Sequence, residues 1–491
     1  MKNLLLFLIL ISTYSFSQNV IIPDWVKTEI SPRGAICQGW GADVDENGNI
    51  YWPVSADYNG QGLDIKCFKF NPSGTQLWST PFFKGGPGAQ QAYVANAKDT
   101  ALYIGGRECS GLVNTCNMSL VKVNKSNGSL IWDKSYNFAF NGYDEVDGLV
   151  IKPDGIYCGG WAQASQSGNY QTEIGLWKVN FNGTTAWTNS FGKLNSAEHQ
   201  DGHFVVDNNH IYAAGLWGGS GIANLYNGHA FLGKFSKTNG NFVDSTLFGH
   251  QSGVFLDVEN ALGMTSDGTY LYITGYTTPP TGGGWQIFVA KFDKNLNQIW
   301  FKDWGGAGTE TARGIAVYDG KIYVAGLTES SAYVQGGESD GVLLTYDTAG
   351  NFISYKTWGD SNNNTFRDIA IDNNGIYLVG STQDSGTTSG DKAAFLLKID
   401  NSTTSILEKS NKEFDFQLYP NPASGIINLI FISDKSINGN LIIRDISGKL
   451  ILSKSFTSVN EIESIELSQH GVFFVTIQSQ NSTLTKKIVN F

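Results

Sequence analysis

The sequence predicts an all-β chain: seven four-stranded sheets packed radially, followed by a small β-sandwich. Three observations predict it. A short strand of the form aliphatic-Tyr, usually ending in glycine, returns seven times. Each return is followed by a second strand marker, most often Lys-apolar-Asn or Lys-apolar-Asp. Between the N-terminal apolar run and residue 405, nothing carries the period or the caps of an amphipathic helix.

Composition bounds the reading. Among 491 residues, 41% hydrophobic and 13% aromatic supply a core, so the chain is not of a disordered type. The 58 glycines have no three-residue period. Thirty-three Lys and Arg against 44 Asp and Glu give a net charge of −11. Arginine is confined to Arg33, Arg107, Arg313, Arg367 and Arg444. An acidic, arginine-poor chain is a poor partner for nucleic acid or an anionic membrane.

The first element is MKNLLLFLILISTYSFSQ. Lys2 precedes an apolar run from Leu4 to Ile11, and Ser15 and Ser17 stand at −3 and −1 of a cut before Gln18. Residues 1–17 read as a secretory signal peptide. The run is shorter than the ~20 residues a bilayer needs, and no other run approaches that length, so a membrane-spanning chain is not expected. Export implies an oxidising compartment for Cys37, Cys67, Cys109, Cys116 and Cys158. Cys109 and Cys116 bracket the polar segment ECSGLVNTC and are expected to form a disulfide. Cys158 lies in an apolar strand pattern and reads as a buried thiol; the pairing of Cys37, Cys67 and Cys158 stays open.

The repeats come next. Their tyrosines are Tyr51, Tyr103, Tyr157, Tyr212, Tyr272, Tyr323 and Tyr377. The second markers begin at Lys69, Lys122, Lys178, Lys234, Lys291, Thr345 and Lys398. A third marker follows in four copies, as Trp78, Trp132, Trp187 and Trp300. Each unit thus holds four short strands bounded by Asp, Asn and Gly turns. One such sheet cannot bury both faces, whereas seven packed radially do, which makes residues 18–408 a seven-bladed β-propeller. The repeated Trp fits filler between neighbouring sheets, and the glycine after the tyrosine strand fits a backbone needing conformational freedom. The segment PDWVKTEI around Trp25 resembles the fourth strand IWFKDWG at Ile299, and the seventh repeat ends in NSTTSILEKS without a tryptophan. The N-terminal strand is therefore expected to complete the last blade and remove its exposed edge. With these motifs the chain resembles, over residues 20–408, the bacterial β-propeller repeats of secreted and surface proteins. That resemblance implies a fold and not a function, since the family spans binding modules, scaffolds and uncharacterised repeats. An eight-bladed enzyme propeller with tryptophan motifs is the competing reading, and seven tyrosine markers argue against it.

After a linker at 409–413 the pattern changes. Residues 414–491 alternate as a small β-sandwich with a turn at Ser447–Lys449. Tyr419-Pro420-Asn421-Pro422, then Arg444 to Gly448-Lys449, then Gly471-Val472-Phe473-Phe474, then Lys486-Lys487 resemble the C-terminal sorting domain of the type IX secretion system of Bacteroidota. The family usually has Tyr where Phe473 stands. The resemblance implies handling by the type IX machinery, export across the outer membrane, removal of the domain, and a secreted or cell-surface protein. An ordinary adhesion sandwich is the alternative.

The candidate chemistry is sparse. DVDENGN at Asp43–Asn49 has the alternating oxygens of a calcium loop but lacks a closing Glu, and a hairpin turn is needed there in every repeat. NPSGTQLW and NFNGTTAW partly resemble the Asp-box turn of sialidases without its aspartate. No nucleophile elbow, phosphate loop or strong metal-ligand spacing is present, and no cofactor is expected. His199 and His203, and Asp144 and Asp147, are the candidate catalytic residues of a secreted glycan hydrolase or lyase. Trp161, Trp217 and Trp285, in glycine-rich loops after tyrosine strands, are the candidate contacts of a noncatalytic binding module for glycan or another surface polymer. The same tryptophans would otherwise pack onto their own blades. The binding module is the reading the sequence favours.

Overall fold

In the computed structural model the described residues are 19–400 apart from 34–35, 59, 61, 81–87, 111–115, 139–142, 164–171, 193–196, 200–201, 220–227, 251–257, 280–282, 336 and 384–391, and 415–490 apart from 420–424, 433–436, 446–448, 459–461 and 480–482. The signal peptide, the linker, Pro420, Asn421, Pro422 and Gly448 lie outside them. The chain divides into two compact units, Met1–Asn401 and Ser402–Phe491.

The first unit is a β-propeller whose described residues contain strands and no helix. They form seven antiparallel sheets of four or five strands, each built from consecutive hairpins. The seventh is the exception: Asn363–Asp372, Gly375–Gln383 and Ala393–Ile399 are joined by Trp25–Ile30 from the N-terminus, in register from Trp25 opposite Lys398 to Ile30 opposite Ala393. Neighbouring sheets abut in chain order through their first strands, and the seventh abuts the first. At that junction the Ala42 N–H donates to Asp368 Oδ2 at 3.3 Å.

The repeated markers each have a physical role. Tyrosine strands such as Ile50–Ala56 and Leu271–Thr277 are buried along their whole length, because a sheet lies against each face. In three sheets the tyrosine hydroxyl donates to the aspartate of the preceding turn: Tyr51 to Asp45 at 2.9 Å, Tyr157 to Asp154 at 2.7 Å and Tyr272 to Asp267 at 2.8 Å. In four sheets the marker lysine lies over the tyrosine ring and reaches a turn carbonyl of the next sheet. Lys69 Nζ donates to the Lys125 carbonyl at 3.1 Å and Lys122 Nζ to that of Phe181 at 3.2 Å. In the first two copies the marker tryptophan donates to the same carbonyl, Trp78 to Lys125 and Trp132 to Phe181, both at 3.2 Å, whereas Trp187 Nε1 and Trp300 Nε1 are buried without a hydrogen-bond partner. In those first two copies the filler is thus also an inter-sheet clasp.

The glycine after the tyrosine strand is needed for space, not for a left-handed backbone. A Cβ at Gly106 would stand 1.8 Å from the Gln91 carbonyl oxygen, and at Gly275 1.8 Å from that of Asn260. Both oxygens belong to the first strand of the same sheet, which bends onto the glycine at that point.

Cys109 and Cys116 face each other across the hairpin of Ala101–Ser110 and Cys116–Asn124 and form a disulfide. Cys37, Cys67 and Cys158 are buried thiols.

The second unit holds a three-stranded sheet (Asp415–Tyr419, Ile426–Ile432, Ile462–Glu466) and a four-stranded one (Leu450–Ser458, Ile437–Asp445, Gly471–Ser479, Thr483–Asn490). One buried core draws on both, with Ile427, Leu429 and Ile465 from the first and Leu441, Ile443, Phe473, Val475 and Ile488 from the second. Phe473 fills a core position, so the ring alone serves where the family usually has Tyr.

Candidate functional site

In four of the seven sheets the first strand loses its ladder at one residue. The register skips Tyr93, Leu262, Arg313 and Arg367, each the extra residue of a β-bulge. In the first sheet the break separates Cys37–Gln38 from Asp43–Val44 and contains Trp40. In the fourth it separates Ala197–His199 from Val205–Val206 and contains His203. In the third, Asp147 immediately precedes the strand Gly148–Lys152. A bulge re-aims the extra side chain out of the pleat. Here all seven, one per sheet, line a single narrow cavity together with Gly202 and Asp368.

The seven residues, one from each sheet, are unlike in chemistry. Arg367 stacks its guanidinium 3.8 Å from the Trp40 ring centroid, and that of Arg313 lies 5.4 Å from the same ring. Tyr93 meets Trp40 edge to face at 5.5 Å, and the Arg107 guanidinium lies 5.7 Å from the Tyr93 ring. Arg107 also pairs with Glu145 at 3.0 Å. The orientation of the aromatic pair is fixed by glutamines: Trp40 Nε1 and Gln91 Nε2 both donate to Gln38 Oε1, and the Tyr93 hydroxyl donates to Gln91 Oε1. Arg367 Nε donates to Ser381 Oγ at 3.2 Å.

Asp368 follows the bulge and is 4% exposed. Its Oδ2 accepts the Ala42 N–H, while its Oδ1 is buried without a hydrogen-bond partner. His203 Nδ1 is 3.9 Å from that oxygen. Burial raises the Asp368 pKa against the opposing pull of His203. The cavity holds about 30 Å3, space for about one or two waters. It offers two guanidinium groups, two aromatic faces, an imidazole and the two carboxylates of Asp147 and Asp368. That set can hold an anionic group and accept a hydrogen bond beside it. A larger cleft of about 370 Å3 includes Lys152, Asp207, Met264 and Lys294. There Asp207 already accepts the N–H groups of Asn209 and His210, and Lys294 lies over the Tyr212 ring.

The sequence candidates are distributed unevenly. His203 and Asp147 line the axial cavity. Asp144 does a different job: fully buried, it accepts the N–H of Phe138 at 2.9 Å on one oxygen and of Gln163 at 3.0 Å on the other. It anchors the flanking segments, with burial pushing its pKa up to about 6 against those two N–H groups. His199 stands in the short strand Ala197–His199, opposite Leu216; its side chain lies outside the described residues. His229 pairs with Glu259 and His250 with Asp303.

The three tryptophans belong to the third, fourth and fifth sheets, and each packs on different aromatic neighbours. Trp217 stacks at 5.2 Å on both Phe191 and Phe231 and packs against the core. Trp161 is half-buried with its ring 5.9 Å from Tyr143. Trp285 is 38% exposed and stacks on Tyr276 at 4.4 Å. Asp45 of the calcium-like segment accepts N–H groups from Asn47 and Asn49 and the Tyr51 hydroxyl, which makes it the cap of its turn. Among the described residues no group of three His, Cys, Asp or Glu is spaced to hold a metal ion.

The sequence reading missed Trp40, Tyr93, Arg313 and Arg367 as one set. A signal for them exists: the axial residue stands ten positions before the strand tyrosine in five sheets, eleven in the first and nine in the fourth.

Residues 417–490 match the family model for the secretion system C-terminal sorting domain. The protein is accordingly secreted or cell-surface. No curated protein sequence matches the chain. Among solved structures it is similar to the acylaminoacyl peptidase of Pyrococcus horikoshii at 9% identity and TM-score 0.41, covering 80% of this chain and 57% of that one. The chain thus spans little more than half the length of that peptidase. The β-propeller domain of the trilobed protease from Pyrococcus furiosus is similar at 8% identity and TM-score 0.40, covering 74% of this chain and 93% of that one. The polysaccharide lyase Uly1 is similar at 10% identity and TM-score 0.44, covering 74% and 90%.

Proposed function

We propose that the mature protein is a seven-bladed β-propeller of the bacterial cell surface or surroundings that binds a glycan or another surface polymer at its axis. On this reading the seven sheets are the blades of one ring, Trp25–Ile30 closes it, and residues 414–491 are a β-sandwich sorting domain read by the type IX machinery of a member of the Bacteroidota. The carrying observation is the contrast between two sets of seven residues. At the strand position all seven repeats have tyrosine, as a shared structural role requires. At the axial position they have Trp40, Tyr93, Asp147, His203, Leu262, Arg313 and Arg367. A purely structural position would repeat its residue; this one carries individual chemistry, and function lives in such grafted sites rather than in the fold. Trp285, the exposed one of the three loop tryptophans, is an auxiliary contact in this reading.

A second reading has one observation in its favour. His203 stands 3.9 Å from the bare oxygen of Asp368, with Asp147 in the same cavity, an arrangement able to move a proton. A hydrolase or lyase would use it. Protein recovered from culture medium and applied to a polysaccharide array separates the two. Binding that is lost in Trp40→Ala without product release supports the binding module. Chain cleavage abolished by His203→Ala overturns it in favour of the enzyme.

A further inference from the structure

Lys125, Lys237 and Lys294 each stand one residue past the second strand marker, in the second, fourth and fifth sheets. The first two pair with a carboxylate in the first hairpin of the preceding sheet. Lys125 Nζ lies 3.6 Å from Asp45 and 3.0 Å from Glu46, and Lys237 Nζ lies 3.2 Å from Asp154. The corresponding carboxylate for Lys294 is Asp207, yet among the described residues Lys294 forms no ion pair. Its Nζ instead reaches Ser266 Oγ at 3.5 Å and lies 4.6 Å from the Tyr212 ring centroid.

Lys294 stands at the cleft of about 370 Å3. The cleft lies along the first strands of the third, fourth and fifth sheets, past Asp147, His203 and Leu262 and toward the turns. The fourth sheet contributes only Val205–Val206 there, beside Gly148–Lys152 and Glu259–Ser266, and so short a strand leaves the space unfilled. Val150, Phe204, Val206 and Met264 give the cleft an apolar lining, and Lys152 joins Lys294 at it.

The charges that bear on Lys294 leave it short of an anion. Asp207 and Asp267 attract it, while Lys152 and Lys234 repel it. Both aspartates are engaged in their own turns. Asp207 accepts the N–H groups of Asn209 and His210, and Asp267 those of Thr269 and Tyr270 together with the Tyr272 hydroxyl. Lys152 makes no ion pair or hydrogen bond among the described residues, and Asp154, two residues on, is taken by Lys178 and Lys237. Burial pulls the Lys294 pKa down, as it does for a cation with too little counter-charge. An apolar lining of this size with a few charged groups suits a small molecule. An inorganic anion would answer the lysines and leave the lining in water. A neutral apolar molecule would do the reverse.

We infer that this cleft binds a small apolar carboxylate, its aryl or alkyl body against Val150, Phe204, Val206 and Met264 and its charge answering Lys152 and Lys294. The site is separate from the axial cavity and does not rest on the axial reading.

The test titrates the secreted protein by calorimetry with 3-phenylpropionate, 3-phenylpropionamide, acetate and 2-phenylethylammonium. 3-Phenylpropionate is expected to bind with a Kd of about 1 mM or tighter. The amide and acetate should each bind at least about tenfold more weakly, the first for want of charge and the second for want of an apolar body. The ammonium should not bind. Lys152→Gln and Lys294→Gln should each weaken 3-phenylpropionate about fivefold or more, and Trp40→Ala should leave it within about twofold. Thermal melts confirm that each variant is folded, and the four ligands on the parent protein decide the charge and apolar requirements without any variant. No saturable binding up to about 10 mM overturns the inference, as does equal binding of acid and amide, or acetate binding as tightly as 3-phenylpropionate. Binding lost in Trp40→Ala and kept in both lysine variants places the ligand at the axis, which overturns this inference and leaves the axial reading standing.

Discussion

The indole Nε1–H of Trp25 donates to the Pro72 carbonyl at 3.2 Å, across 47 residues of sequence. The same ring covers Gly74, where a Cβ would stand 2.9 Å from it. Trp78 repeats this contact on the next turn, donating to the Lys125 carbonyl and covering Gly128. The strand from the N-terminus therefore makes, toward the first sheet, the clasp that the first sheet makes toward the second. Trp25→Ala should lower stability by roughly 2–4 kcal/mol through the lost packing on Phe70 and Tyr377 and the lost hydrogen bond. Trp25→Phe should lower it by about 1 kcal/mol. Calorimetric melting checks both, and an unchanged melt of Trp25→Ala would rule the clasp out as a closure.

Cys109 and Cys116 are seven residues apart and stand opposite each other in one hairpin. Non-reducing peptide mapping of secreted protein should find them linked. Because the closed loop is short, reduction or Cys109→Ser should lower stability by only about 2 kcal/mol. Free thiols at both positions in secreted material would reject the bond.

Asp144 and Asp147 separate anchoring from binding within four residues. Asp144→Ala leaves two buried N–H groups, of Phe138 and Gln163, without their acceptor. It should lower stability by about 2 kcal/mol or more and leave ligand affinity of the folded protein unchanged. Asp147→Ala should do the opposite: little change in melting and a measurable change in axial binding. A calorimetric melt and a titration on each variant decide the assignment.

The strand pattern was legible because each sheet repeats it locally. Tyr51 and its six counterparts are all buried, so one residue type recurs at one spacing. The axial set was not legible by the same route, because it draws one residue from each sheet and the seven share no residue type. Arg313 and Arg367 were visible at the head of apolar strands, yet nothing local tells that both reach Trp40, some 270 residues or more upstream. His203 and Asp147 could be named from their own neighbourhoods, but Asp368, which comes closest to His203, belongs to another sheet. Trp217 looked like an exposed loop tryptophan because Phe191, which covers it, comes from the preceding sheet.

The sorting domain at 417–490 and the N-terminal apolar run make processing at both ends the expected outcome. Intact-mass analysis of protein from medium or washed cells should show a chain beginning at Gln18 and ending near residues 405–415. A surface-exposed chain that still carries Phe491 would defeat this.

Stability should fall as pH rises from about 4 to 7, and two equivalent residues should account for part of the fall. Asp64 and Asp340 each begin the third strand of a sheet, the first and the sixth. Asp64 is 2% exposed and Asp340 is fully buried, and each has one carboxylate oxygen without a hydrogen-bond partner. Burial pushes both pKa values up to about 6; the Gln335 N–H opposes this at Asp340, while Asp57 adds to it at Asp64 and Asp360 at Asp340. In the unfolded chain these groups titrate near 3.8. Between those values the folded state binds more protons than the unfolded state, so the slope of unfolding free energy with pH is negative. The contribution is fully present below about 4 and is lost as pH rises through 6, by about 1–2 kcal/mol per site. Asp64→Asn and Asp340→Asn remove the charge and keep an amide oxygen that can accept the Gln335 N–H at position 340. The double variant should therefore melt higher than the parent at pH 8 and no higher at pH 4. Asp43, Asp144 and Asp368 also have raised pKa values and retain the remaining slope. Parallel stability curves for parent and double variant from pH 4 to 8 would show that Asp64 and Asp340 ionise without penalty, and would remove this account of the pH dependence.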